Sequence, residues 1–73
     1  MKTESELTRI ALSGASLVLD SKKYTESELA RIARQLTPNA KLVLKNADSK
    51  TESELARIAA NAKSGQVVFD FFA

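Results

Sequence analysis

One nine-residue segment occurs three times in this 73-residue chain, and it constrains the fold more than any other feature. The segment Thr-Glu-Ser-Glu-Leu-Ala-Arg-Ile-Ala is identical at residues 25–33 and 51–59, and it recurs at 3–11 with Thr8 in place of alanine. A short apolar run follows each copy, at residues 17–19, 42–44 and 67–69. Repetition at a nearly fixed period is the signature of stacked repeat architectures. We therefore predict a single repeat domain over residues 1–73, built from three units at about 3–20, 25–45 and 51–72.

The first half of each unit is typical of a capped helix. A threonine is followed three residues later by a glutamate, which is the spacing of a capping box. The three pairs are Thr3 with Glu6, Thr25 with Glu28, and Thr51 with Glu54. The apolar residues that follow recur at helical spacing, as in Leu29, Ile32, Ala33 and Leu36. We expect helices near residues 4–13, 26–36 and 52–63, ended by Gly14, by residues 37–39 and by residues 64–65.

Two further features of the helical segments predict local contacts. An arginine lies three residues after the second glutamate of each unit, at Arg9, Arg31 and Arg57. Opposite charges at this spacing stabilise a helix, so pairs within each helix are expected. Tyr24 immediately precedes a cap threonine, and we expect it to pack on Leu29 as a hydrophobic staple.

The second half of each unit is predicted to be a strand, because it is short and rich in valine and phenylalanine. Alternation places two rows of side chains toward the helices, Leu17/Leu42/Val67 and Leu19/Leu44/Phe69. Three rows point the other way, Ser16/Lys41/Gln66, Val18/Val43/Val68 and Asp20/Lys45/Asp70. A central second strand puts Lys45 between two aspartates, which favours this strand order because opposite charges stabilise cross-strand pairs.

The repeated helix–strand order also predicts the topology. Strands that each return through a helix run parallel, and such crossovers are right-handed almost without exception. The predicted fold is α/β, a two-layer right-handed solenoid of three helix–strand units, with a parallel three-stranded sheet in the order 1-2-3 and all helices on one face. In unit length and layout, and in fragments such as Leu42-x-Leu44 near Asn46, the chain resembles leucine-rich-repeat-like solenoids. The resemblance covers architecture only and implies no functional residues.

Composition argues against an enzyme. The chain contains no histidine and no cysteine, which excludes imidazole bases, the usual nucleophilic triads and thiolate chemistry. Helix capping already explains the paired carboxylates Glu4/Glu6, Glu26/Glu28 and Glu52/Glu54. Neither a calcium-binding loop nor a glycine-rich phosphate loop occurs. We therefore expect no catalytic residues, no cofactor and no metal site.

Charge and hydropathy also bear on partners. The isoelectric point is near 9.2, yet the net charge is only +2, and the aromatic residues are not interleaved with basic ones. Lysines that blunt sheet edges are the commoner explanation for such a pattern. No apolar run approaches the roughly 18–20 residues of a membrane span. We expect a soluble chain with no specific nucleic-acid partner and no membrane partner, and nothing in the sequence indicates a localisation.

The second sheet face points to function. All-parallel sheets are usually covered on both faces, but three helices suffice for one. The other face would show Val18, Val43 and Val68, with Phe72 continuing beside them and residues 67–72 forming an apolar edge strand. The leading hypothesis is a structural, non-enzymatic module that forms homo-oligomers through this face, through strand edges or by exchanging a unit. The alternative is a segment that binds a protein or peptide on the same face, with the rows Ser16/Lys41/Gln66 and Asp20/Lys45/Asp70 as contact positions.

Identity between the units at exposed positions concerns origin. Glu26 matches Glu52 and Ser27 matches Ser53, although exposed positions tolerate substitution and drift in natural duplicates. This indicates recent duplication or deliberate engineering. We expect an engineered protein or a fragment of a longer solenoid, which would also account for the lack of polar end caps.

Overall fold

The computed structural model describes residues 1–72 and contains three helix–strand units in the predicted order. The helices are α1 (Glu4–Leu12), α2 (Glu26–Arg34) and α3 (Glu52–Ala60), and the strands are β1 (Leu17–Asp20), β2 (Leu42–Lys45) and β3 (Val67–Phe69). A 3₁₀ turn follows each of the first two strands, at Ser21–Lys23 and Ala47–Ser49. The prediction of alternating helix–strand units in an α/β arrangement is confirmed.

Each helix begins with two reciprocal hydrogen bonds. In α1 the Thr3 Oγ1 atom accepts from the Glu6 N–H at 3.2 Å, and the Thr3 N–H donates to Glu6 Oε1 at 2.9 Å. The same two bonds recur at the other helix starts, between Thr25 and Glu28 and between Thr51 and Glu54. They satisfy backbone N–H groups that the first turn of a helix leaves unpaired.

The helices begin where the sequence predicts and end one to three residues earlier. Beyond α2 the Leu36 N–H donates to the Ala33 carbonyl at 3.3 Å, and beyond α3 the Ala62 N–H donates to the Ala59 carbonyl at 3.2 Å. Hydrogen bonds between residues three apart tighten the last turn and lead the chain off the helix axis. After α1 the chain turns at Gly14, whose φ of 100° is readily adopted only by glycine.

The three strands form one parallel sheet in the order β1-β2-β3, as predicted. The register aligns residues 25 apart in sequence, so Leu17 lies beside Leu42 and Leu42 beside Val67. The offset is the same for both strand pairs because the chain length from one strand to the next is the same.

The core lies between one face of the sheet and the helices. Leu42 and Leu44 of the central strand are fully buried, together with Leu29 and Ile32 of α2 and Ile58 of α3. The remaining inward strand residues are buried or packed against this cluster, namely Leu17, Leu19, Val67 and Phe69. The predicted alternation of inward and outward side chains is therefore confirmed within the strands.

The residues that precede the cap threonines of α2 and α3 each bind the backbone of the preceding unit. Tyr24 is buried in the same cluster as Leu29, and its hydroxyl donates to the Lys2 carbonyl oxygen at 2.8 Å. Lys50 holds the equivalent position before α3, and its Nζ atom donates to the Ser21 carbonyl oxygen at 2.9 Å. The sequence suggested only the apolar contact of Tyr24, and the polar bonds tie successive units together.

The predicted edge strand over residues 67–72 is wrong in its extent, because β3 ends at Phe69. The Phe72 N–H donates to Asp70 Oδ1 at 2.9 Å, which bends the chain. The Lys22 N–H makes the same bond to Asp20 after β1, at 2.9 Å. Aspartate side chains that bind the backbone two residues on commonly initiate turns. Phe72 is 98% exposed after this turn and does not continue the valine row along the strand.

Candidate association surfaces

The sheet face opposite the helices carries a row of three valines, defined here as the valine row. The register places Val43 of β2 between Val18 of β1 and Val68 of β3. Val18 is 61% exposed and Val68 is 41% exposed, whereas Val43 is half-buried between them. The fold thus brings together the three apolar residues that the sequence assigned to this face, and it leaves Val18 and Val68 exposed.

A charged row lies beside the valine row at the carboxyl end of the strands. Lys45 is in register with Asp20, and its Nζ atom lies 3.4 Å from Asp70 Oδ2. Asp20 Oδ1 instead accepts from the Lys22 N–H at 2.9 Å and from Asn46 Nδ2 at 3.0 Å. These two hydrogen bonds hold the pKa of Asp20 below its ordinary value. The predicted register is correct, and Lys45 pairs on one side only.

The polar row at the amino end of the strands does not form a free surface. It comprises Ser16, Lys41 and Gln66, which were all expected to point outward. Gln66 is only 5% exposed, its Nε2 atom donates to the Thr37 and Ala40 carbonyls, and its Oε1 atom accepts from the Lys63 N–H. The expectation fails at Gln66 because its amide group turns toward these backbone groups, whereas Ser16 and Lys41 at the equivalent positions before β1 and β2 are exposed.

The other two members of this row bind neighbouring units. Ser16 Oγ accepts from the Lys41 N–H at 2.9 Å, and Lys41 Nζ donates to the Gly65 carbonyl oxygen at 3.0 Å. The polar row therefore joins the three units to one another.

A ladder of ion pairs crosses the three helices. Arg31 Nε and Nη2 donate to the two carboxylate oxygens of Glu4 at 2.6 and 2.8 Å. Arg57 binds Glu26 in the same manner, at 2.7 and 2.9 Å. The described ion pairs of these arginines thus join adjacent helices, whereas the sequence predicted pairs within each helix. Each guanidinium donates two hydrogen bonds to the carboxylate of the first glutamate in the preceding unit. The spacing of three residues between glutamate and arginine within one helix does not predict this bidentate contact.

The ladder perturbs the titration of its members. Hydrogen bonds from Arg31 and Arg57 hold the pKa values of Glu4 and Glu26 below the ordinary value for glutamate. The carboxylates in turn raise the pKa values of both arginines. All four side chains are therefore charged at neutral pH.

Two members of the ladder have no such partner within residues 1–72. Arg9 of α1 matches Arg31 and Arg57, but no unit precedes it in the described structure to supply a glutamate. Glu52 of α3 matches Glu4 and Glu26, but no described unit follows it to supply an arginine. Both side chains are exposed, whereas the two paired glutamates are half-buried. The sequence contains the signal, because three arginines and three glutamates make only two inter-unit pairs.

Other chemistry is sparse in the described part of the chain. Residues 1–72 hold no group of three or more acidic, histidine or cysteine side chains placed to bind a metal ion. None of their helices is long and apolar enough to cross a bilayer. An open depression of about 290 Å³ lies beside the 3₁₀ turns and is lined by Lys22, Asn46, Asp48, Ser49 and Phe71. Comparisons with protein-family models, curated proteins and solved structures found no match to this chain.

Proposed function

We propose that this chain is a non-enzymatic structural repeat module that self-associates, with a second copy of the chain covering the valine row. The observation that carries the proposal is the exposure of this row, 61% at Val18 and 41% at Val68. Parallel sheets with helices on one side are normally covered on the other side as well. A second sheet is the natural cover, because sheets pack face to face through their apolar side chains.

A second copy fits this face on grounds of symmetry. Two copies related by a two-fold axis bring the same surface to the contact, so one valine row covers another. The small size of the chain adds a driving force, because a domain of 73 residues buries a modest share of its surface and gains from association. Removal of Val18 and Val68 from water would stabilise the pair by the hydrophobic effect.

Binding of a foreign protein or peptide remains the alternative, and it has less support. That hypothesis used the rows on either side of the valines as contact positions. Gln66 is buried, Lys41 binds the Gly65 carbonyl, and Lys45 lies beside Asp70. Fewer polar groups are therefore free to recognise a specific sequence than the alternation suggested.

We also infer that the units derive from one repeat sequence, either engineered or taken from a longer array similar to leucine-rich-repeat-like solenoids. Support comes from the repetition of geometry as well as of sequence. All three helices start with the same pair of hydrogen bonds, and both helix–helix junctions carry the same arginine–glutamate fork.

Light scattering coupled to size exclusion tests the proposed function. The chain of 7.9 kDa is expected to elute at a multiple of its mass at micromolar concentrations. Val43→Lys places a charge in the valine row, and it should reduce association more than it reduces the free energy of unfolding. Leu12→Lys exchanges an exposed apolar side chain of α1 for lysine away from the sheet, so it serves as the matched control.

Three outcomes would contradict the proposed self-association or the assignment of the valine row as its contact. A folded monomer at every concentration would overturn self-association. Association of Val43→Lys equal to that of the original chain would exclude the valine row as the contact. A monomer that captures another protein at fixed stoichiometry would favour the alternative function.

A further inference from the structure

We propose that copies of this chain also stack head to tail, so that the α1/β1 end of one copy docks on the α3/β3 end of another. The contact would repeat the unit–unit junction that already occurs twice inside the chain. This inference rests on the proposed self-association and assigns it a second surface, separate from the valine row. The partner is therefore a second copy of the same chain.

The two internal junctions provide the template. Arg31 holds Glu4 at 2.6 and 2.8 Å, and Arg57 holds Glu26 at 2.7 and 2.9 Å, so adjacent helices are related in nearly the same way at both junctions. A third junction of this kind needs one arginine and one glutamate at matching positions that have no partner in a neighbouring unit of the described structure. Arg9 and Glu52 are those residues, and they lie on opposite ends of the described structure.

Apolar burial shows the same asymmetry between the ends. Ile32 and Ile58 are fully buried, whereas the equivalent Ile10 of α1 is 37% exposed. Ile32 and Ile58 each have a preceding unit, and Ile10 has none in the described structure, so this position packs toward the preceding unit. Ala30 of α2 is buried, but the equivalent Ala56 of α3 is exposed. Each end of the molecule thus presents one half of the contact that the internal junctions bury.

The sheet edges match as well. The Leu17 N–H donates to the Lys41 carbonyl at 2.9 Å, and the Leu42 N–H donates to the Gln66 carbonyl at 2.8 Å. The next bond in this series would run from the Val67 N–H to the Ser16 carbonyl of the second copy. Among the described residues, β1 and β3 each have a strand neighbour on one side only, and an exposed strand edge is a template for pairing with another chain.

One pair of charges opposes this stacking. The register places Asp70 of one copy beside Asp20 of the next, and like charges directly opposite each other destabilise a sheet. Asp70 lies 3.4 Å from Lys45, and Asp20 binds Asn46, so both carboxylates already have partners within their own copy. The contact is heterologous, so it yields rings if the rotation per copy closes and open filaments if it does not.

Substitutions that reverse the charge of Arg9 or of Glu52 test the head-to-tail contact. Arg9→Glu brings a second carboxylate against Glu52 at the head-to-tail contact, and Glu52→Arg places two arginines there. Each single variant should weaken association about tenfold, because like charges replace a complementary pair. An equimolar mixture of the two variants restores opposite charges wherever a copy of one variant contacts a copy of the other, and the double variant restores them at every contact. Ser27→Glu adds a negative charge at an exposed position of α2, in the central unit and away from both ends, and it is the control.

Sedimentation velocity of the singles, the mixture, the double variant and the control separates the outcomes. Weaker association of both singles, recovery in the double variant with partial recovery in the mixture, and no change in the control would support head-to-tail stacking. Unchanged association of the singles would overturn it, while the proposed self-association through the valine row would stand. A monomeric original chain would overturn both. Circular dichroism confirms that each variant folds, which is expected because both positions are exposed.

Discussion

Arg57 of α3 binds the carboxylate of Glu26 of α2 through two hydrogen bonds, of 2.7 and 2.9 Å. The two residues belong to different copies of one nine-residue segment, so a repeated sequence yields a repeated contact between helices. Arg31 and Glu4 make the same contact one unit earlier. The ladder therefore fixes how one unit sits on the next, together with the parallel strand register and the shared core.

The two hydrogen bonds from Arg57 to one carboxylate predict that replacement of this residue by lysine makes the fold less stable. Arg57→Lys keeps the positive charge but removes the planar pair of donors that meets both carboxylate oxygens. The midpoint of thermal unfolding should fall for this variant, measured at a concentration at which the chain is monomeric. Arg9→Lys is the control, because Arg9 has no carboxylate partner in a neighbouring unit within residues 1–72, and its midpoint should not change. Equal midpoints for the two variants would show that the fork does not stabilise the junction.

The helix caps predict a loss of stability on removal of a single hydroxyl. Thr25→Ala deletes the Oγ1 acceptor of the Glu28 N–H and should lower the free energy of unfolding by about 1 kcal/mol. Ser27→Ala alters an exposed hydroxyl in the same helix, and it should change stability far less. Urea unfolding followed by circular dichroism measures both values. A smaller effect for Thr25→Ala than for Ser27→Ala would contradict the assigned role of the cap.

Removal of the buried Ser21 hydroxyl is predicted to stabilise the fold. The Ser21 side chain is fully buried, and its Oγ atom has no hydrogen-bond partner among the described residues. The equivalent residue before α3 is Ala47, which is also fully buried. Because a buried hydroxyl without a partner destabilises a fold, Ser21→Ala should raise the free energy of unfolding by about 1 kcal/mol. Ser53→Ala, at an exposed position, is the control, and an unfolding midpoint for Ser21→Ala below that of the original chain would refute the prediction.

Acid should destabilise the fold in a defined range of pH. Five carboxylates have pKa values lowered by hydrogen bonds to arginine side chains or to backbone and side-chain donors, namely Glu4, Glu6, Asp20, Glu26 and Glu54. In the unfolded chain the pKa values of these carboxylates are about 4. Their contribution to stability is complete above that value, and it falls as the pH drops through the lower folded values, since the unfolded chain then binds more protons.

Urea midpoints at several pH values check this dependence. The midpoint should be similar at about pH 7 and pH 5 and clearly lower at about pH 3. Glu26→Gln removes one of the perturbed carboxylates, so the drop on acidification should be smaller for this variant. A midpoint that rises on acidification would mean that these carboxylates do not favour the folded state in their charged form.

The sequence was sufficient to predict the order of elements, the strand register and the inward residues. This success has a physical basis, because capping threonines, helical spacing and strand alternation are local signals that three copies reinforce. The strand offset of 25 residues, for example, is sufficient to predict that Val43 lies between Val18 and Val68.

Contacts between units were harder to predict, because they depend on distances across the packed fold. Arg31 lies three residues from Glu28 in sequence, yet it binds Glu4, 27 residues away. Gln66 follows the outward alternation in the sequence, but its amide binds the Thr37 and Ala40 carbonyls, and the side chain is buried. In the same way, Asp70 binds the Phe72 N–H, so a run of apolar residues that looked like a continuous strand bends after Phe69.

The mass of the unmodified chain in solution tests the central claim most directly. Sedimentation velocity over a dilution series from millimolar to micromolar concentration would report whether copies associate reversibly. We predict species at multiples of 7.9 kDa that become smaller on dilution. A single folded species of 7.9 kDa throughout the series would contradict the account.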